Sequence, residues 1–174
     1  APRCEEYDPE DLDRLCSAGR VAWGRLSPPD GEGQGLRSTG PLSSSPMTLW
    51  CRGRDSSWMN PCEPDSLEGN LSSEARRTVE VLRQRGASFF HDLVSATGLL
   101  PTRLERALGE LAAMGVVTSD GFSGLRALLT PSDRRPSVGA EGNGRKKKRR
   151  TTSPYGVDTA GRWFLLEPSF RQGP

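Results

Sequence analysis

The sequence predicts an α+β fold in which short amphipathic helices feed small antiparallel sheets. Three observations lead there. Between Leu71 and Leu129, apolar residues recur at helical spacing in segments that each end at a glycine. A strand-like "VVT" after the third segment has no neighbouring partner, and a matching "GRWFLL" arrives only after some thirty loop-like residues. The opening "DLDRLCSAGRVAWGRL" has the same pattern as "ALGELAAMGVVTSDGF": Leu12 matches Leu108, Leu15 matches Leu111, Cys16 matches Ala112, Gly19 matches Gly115 and Val21 matches Val117.

In chain order, the first unit spans residues 1–60. It holds a helix at 9–18, a strand at 20–26, a Pro-, Gly- and Ser-rich loop from Ser27 to Pro46, and a returning strand at 47–52, "MTLWCR". Residues 61–70 read as a linker. Ser72 then caps a helix with Glu74 in its first turn, and Ala75, Val79 and Leu82 share one face. Gly86 ends it. Ser88 is expected to cap the next helix, with Phe89, Leu93 and Ala96 on its inner side and Gly98 closing it. Pro101 suits the first position of a third helix, whose stripe is Leu104, Leu108 and Leu111, widened by Ala107 and Met114. Gly115 is its C-cap. "FSGLRALL" places Phe122, Leu125 and Leu129 at helical spacing, so it reads as a helix and not as the missing strand.

Three short helices with a tight glycine turn between the second and third give helix-turn-helix order. Pairing Val116–Thr118 with Arg162–Leu166 completes a winged helix from 71–129 and 161–167, with 130–160 as a long, basic, disordered insertion in the wing and 168–174 as a tail. The fold expected is thus a tandem winged helix whose first copy is partial, lacking its upstream helices.

Gly and Pro are abundant (20 and 14 residues) and clustered, so the packed part is expected to be well short of the 174 residues. The net charge is +2, but the six consecutive cations Arg145, Lys146, Lys147, Lys148, Arg149 and Arg150 carry it; the rest of the chain is net acidic. No apolar run approaches the ~20 residues of a membrane span, and no signal peptide is read. The chain begins with Ala1, which suggests processing or excision from something longer. Cys4, Cys16, Cys51 and Cys62 contain no C-x-x-C and accompany a single histidine, so reduced thiols are expected and a zinc site is not.

No Walker phosphate loop, nucleophile elbow or H-E-x-x-H is present, so no catalytic residue, cofactor site or metal site is assigned. His91 reads as a solvated residue. Nucleic-acid chemistry remains. The N-terminal part of a recognition helix approaches base edges or phosphates; here it carries Thr102, Arg103 and Arg106. The competing reading is a solvated face with Arg106 paired to Glu110. The cations 145–150 bind phosphate without sequence preference, against the alternatives of a solubilising linker or a nuclear localisation signal. Trp23, Trp50, Trp58 and Trp163 flank strands and read first as core; Trp23 and Trp163 carry an alternative role in stacking bases.

The segments "YDPEDLDRLCSAGRVAWGRL", "MTLWCRGRDSSW", "RGASFFHDLVSATGLLPTRLERALGELAAMGVVTSDGFSGLRALL" and "GRWFLL" resemble, in order, parts of the Lhr (large helicase-related) family of superfamily-2 DEAD/DEAH-type helicases. The resemblance implies an ATP-dependent 3′-to-5′ helicase linked to DNA repair, with ATP and Mg held by RecA-like motor domains. This region would lie in the tandem winged-helix accessory part after the motor. Its expected partners are single-stranded or forked DNA, or a DNA–RNA hybrid, and the motor itself, at the bacterial nucleoid in the cytoplasm. The motor's Walker and DEAH motifs are absent here, as is the Gln-x-Gln signature of AlkZ-like glycosylases. The reading is therefore a non-catalytic nucleic-acid-binding fragment. A protein-interaction module that does not bind DNA is the alternative, and a glycosylase-related fragment the remoter one.

Overall fold

The computed structural model describes residues 8–25, 42–52, 71–130, 156–157 and 160–166. The chain is α+β. Helix α1 (Pro9–Ser17) starts where Asp8 accepts a hydrogen bond from the Glu10 N–H at 2.9 Å, with proline in its first turn. Gly19, at φ 70°, turns the chain into β1 (Val21–Gly24). A single 3₁₀ turn at Leu42–Ser44 leads to β2 (Thr48–Cys51), antiparallel to β1 with Trp23 opposite Leu49.

The second unit runs α2 (Ser73–Arg85), β3 (Ser88–Phe89), α3 (Phe90–Thr97), α4 (Pro101–Met114), β4 (Val117–Ser119), α5 (Phe122–Leu129) and β5 (Arg162–Leu165). The strand order is β3-β5-β4, all antiparallel, so the last strand in sequence is central. Val117 faces Leu165, Thr118 faces Phe164 and Ser119 faces Trp163. The expected long-range pairing is present, and the Leu166 N–H extends it by donating to the Val116 carbonyl at 2.8 Å.

Helices α1 and α4 pass into the strands that follow them in the same way. The Gly19 N–H donates to the Cys16 carbonyl and the Arg20 N–H to Leu15; the Gly115 N–H donates to Ala112 and the Val116 N–H to Leu111. These are matched Schellman-type ends, with the glycine left-handed at φ 70° and 78°. The copies diverge in cover. Leu111 is fully buried, whereas Leu15 is 38% exposed on α1, which packs chiefly on α5 and β1.

One core joins the units. Leu104, Leu108 and Leu111 of α4 pack with Ala75, Val79 and Leu82 of α2, with Leu93 of α3, and with Trp23 and Trp163. Trp23 stands edge-on to Trp163, ring centroids 6.3 Å apart, and to Phe122 at 6.4 Å. Its Nε1–H donates to the Gly121 carbonyl at 3.1 Å, and its own carbonyl accepts from the Thr118 hydroxyl at 2.6 Å. Asp13 of α1 accepts from the Ser123 N–H at 2.6 Å and pairs with Arg126, so α1 caps α5, which has no cap of its own.

Several expectations are corrected. Ser88 does not cap α3; it lies in β3 opposite Trp163, and α3 begins two residues later. The inner face of α3 is Phe90, Leu93 and Thr97, while Phe89 is 45% exposed and Ala96 only half-buried. The short strand takes up Ser88 and Phe89 and shifts the helical phase by one. On α5, Leu125 and Ala127 are buried but Leu129, the last residue of the helix, is 43% exposed. Val157 and Ala160, assigned to the flexible insertion, are buried in the core ahead of β5. The linker 61–70, the tail 168–174 and residues 131–155 of the insertion lie outside the described residues. So do Cys4 and Cys62; Cys16 (buried) and Cys51 (exposed) are free thiols.

Truncating Leu108 or Leu111 to Ala is expected to cost roughly 2–5 kcal/mol, read as a lowered melting temperature by circular dichroism. The matched glycines give a second, internal comparison. A Cβ at Gly19 meets nothing within 4 Å, while one at Gly115 would lie 2.6 Å from the Arg25 carbonyl oxygen. Gly19→Ala should cost about 1–2 kcal/mol for the left-handed backbone alone, and Gly115→Ala clearly more; equal losses in the melt would contradict this packing.

Candidate nucleic-acid interface

Helix α3 ends at Gly98, left-handed at φ 64°, and Leu99 and Leu100 carry the chain to Pro101 at the start of α4. Burial of Leu104, Ala107, Leu108 and Leu111 on one side of α4 leaves Thr102, Arg103 and Arg106 exposed on the other. The structure therefore brings these three together on one solvent face beside the turn, where Leu100 is 65% exposed.

Their partners differ from the expectation. Glu110 does not pair with Arg106. Its carboxylate accepts from the Ser72 N–H at 2.8 Å and from the Ser72 hydroxyl at 2.6 Å, while the same hydroxyl accepts from the Ala75 N–H at 3.1 Å. Glu110 thus completes the N-cap of α2 from another helix, in the manner of a capping box. Arg106 has no hydrogen-bond or ion-pair partner among the described residues. Arg103 Nη1 lies 3.2 Å from Glu74 Oε1. The Glu74 carboxyl sits below the usual range, chiefly through the Ser73 hydroxyl and also through Arg103. The carboxylate is ionised at neutral pH, and its hold on Arg103 is lost only on acidification through that lowered value. The Arg103 side chain is 62% exposed, so the pair is a weak surface contact that a phosphate can displace.

Arg77, which the sequence reading did not single out, joins this surface. Arg77 of α2 places a guanidinium nitrogen 3.6 Å from the Cβ position of Gly98, against the helix-turn-helix turn. The signal was available: burial of Ala75, Thr78, Val79 and Leu82 forces Arg76 and Arg77 outward. Arg162, first in β5, donates from Nε to Asp120 Oδ2 at 2.8 Å and fixes the base of the long connection between β4 and β5.

Trp23 and Trp163 do not take the stacking role. Both are 0% exposed and face one another in the core, so neither offers a ring face to a base. The six cations from Arg145 to Arg150 lie outside the described residues. Among the described residues no group of three or more His, Cys, Asp or Glu side chains could hold a metal ion, and no helix is long and apolar enough to cross a membrane.

The geometry defines a small α+β protein whose exposed helix-turn-helix edge carries arginines. No protein-family profile matches the chain. The chain is 28% identical over 179 aligned positions to a protein of Mycolicibacterium smegmatis named "Lhr helicase/probable uracil glycosylase". The match covers 94% of this chain and 10% of that protein, so the chain spans about a tenth of its relative's length. The likeness is to one region of an Lhr helicase.

If this face meets nucleic acid, Arg106→Ala should weaken binding a few-fold, and Glu74→Gln, which releases Arg103, should strengthen it by a similar factor. Fluorescence anisotropy with a labelled DNA fork reads both; changes of the opposite sign would remove the N-terminal turn of α4 from the contact.

Proposed function

We propose that this chain is a non-catalytic nucleic-acid-binding module equivalent to part of the accessory region of an Lhr-type helicase, built as a tandem winged helix with a partial first copy. The observation that carries the reading is the exposed Thr102, Arg103 and Arg106 edge at the turn between α3 and α4. It is supported by the strand order β3-β5-β4 around α2, α3 and α4, which leaves the β4–β5 connection as a wing. The likeness to a region of an Lhr helicase points the same way. On this reading the chain holds a DNA strand, single or forked, or a DNA–RNA hybrid. ATP hydrolysis and directionality belong to a RecA-like motor that binds ATP and Mg, and the context is DNA repair.

In sequence, the cations Arg145 to Arg150 fall between α5 and β5. They supply attraction without sequence preference, because each neutralised phosphate releases condensed counterions. The helix edge then orients the strand. A second reading, a protein-docking module, draws on the Glu74–Arg103 pair, which already occupies one of the three edge residues.

The test is binding of the 174-residue chain to forked DNA across a salt series. With all six tract cations engaged, log K should fall with log salt at a slope of about 5 on duplex or about 4 on single strands. Changing 145–150 to Ser and Gln should flatten that slope. An unchanged slope takes the tract out of the interface, and no binding at low salt favours the docking module. Uracil-containing DNA treated with alkali in parallel should yield no cleavage.

A further inference from the structure

Phe89 and His91 form an exposed aromatic pair outside the surface discussed so far. Alternation along β3 puts Ser88 inward, opposite Trp163, and Phe89 outward, opposite Arg162. The Phe89 and His91 rings stack with centroids 5.9 Å apart and planes 15° from parallel. Phe89 is 45% exposed and the His91 side chain 77% exposed, although Phe90 between them is in the core. A phenyl ring left this open forgoes nearly half of what full burial would contribute. The neighbouring Arg162, 52% exposed, is held by Asp120 through Nε alone, so its two terminal nitrogens have no partner among the described residues.

From this juxtaposition we infer that Phe89 and His91 are a stacking platform for an unpaired base of a single-stranded nucleic acid, with Arg162 positioned beside it for the adjoining phosphate. The inference rests on the nucleic-acid reading above and names a site within it. The open ring pair beside Arg162 selects the occupant. A protein side chain would need a groove around the ring, whereas a base needs only an open, flat π-surface, and its phosphate finds a guanidinium already oriented by Asp120. Asp92 Oδ1 lies 3.2 Å from His91 Nε2. Because every base has a π-face, the site would favour single strands over duplex without reading sequence.

The test compares a short oligothymidylate with an oligomer of the same length and charge made of abasic sites, both binding the 174-residue chain. The unmodified chain should prefer the strand with bases. Phe89→Ala should cut that preference about tenfold, the scale of one lost stack, leave abasic binding unchanged, and be rescued by Phe89→Trp. His91→Ala should give a smaller loss. His91, 77% exposed, should leave the melting temperature unmoved when truncated, and Phe89→Trp separates lost stacking from lost packing at the half-covered Phe89. Unaltered preference in Phe89→Ala overturns the platform while leaving the wider reading standing. Absence of binding to either strand by the unmodified chain overturns both.

Discussion

The placement of β5 in the middle of its sheet is the constraint on which the fold depends. Neither β3 nor β4 touches the other; each exists as a strand only because Arg162–Leu165 lies between them. Bringing that segment back from 42 residues beyond Asp120 costs about 3 kcal/mol of loop-closure entropy. Burying the Trp163 side chain contributes about 4–6 kcal/mol, from ~150–250 Å² of surface at ~25 cal/mol per Å², less about 1–3 kcal/mol for its buried Nε1–H, which has no hydrogen-bond partner among the described residues. The return therefore also draws on Val157, Ala160 and Leu165, which join the same core. Doubling the insertion would cost only ~0.6 kcal/mol more, which frees its length and composition to serve something other than folding.

Trp23 extends the same logic to the first unit. It bonds Gly121, accepts from Thr118 and meets Trp163 edge-on, so the short β1–β2 ribbon is packed against the central strand instead of standing alone. A two-stranded ribbon is marginal in water by itself. Asp13 reinforces the junction by capping α5 and pairing with Arg126, whose guanidinium also covers the Phe122 ring at 4.9 Å. The two copies of the helix–glycine–strand pattern thus become complementary halves of one core. The first is tied down through its tryptophan and aspartate, not through helices of its own.

What could be read from the sequence follows from how local each determinant is. The caps at Ser72, Pro101 and Gly115 and the stripes of α2 and α4 are legible because propensity and periodicity act within a few residues, and the long-range β4–β5 pairing because two strand-like segments each lack a neighbouring partner. The phase of α3 was not. Only the bridge to Trp163 makes Ser88 and Phe89 a strand, and that bridge is invisible in "SFFHDLV". Likewise Arg106–Glu110 is a good helical pair on paper. The Ser72 N–H and hydroxyl, brought up by packing of α2 on α4, offer that carboxylate two hydrogen bonds in place of one solvated ion pair. At the candidate site the residues of α4 were legible as a face, whereas Arg77, Phe89 and Arg162 needed the tertiary arrangement to be seen.

The charge distribution separates attraction from orientation. Apart from the six consecutive cations, the chain is net acidic, and several described arginines are already matched: Arg103 with Glu74, Arg126 with Asp13, Arg162 with Asp120. Such pairs hold a guanidinium in place while halving its long-range field, and beyond about 8 Å in physiological salt that field is screened. The folded surface is thus poorly suited to gathering a polyanion from solution. It is well suited to holding a strand already delivered, because an arginine with one nitrogen committed has lost part of its rotamer freedom before the phosphate arrives. On the proposed reading, the tract would supply attraction and the partly paired arginines orientation.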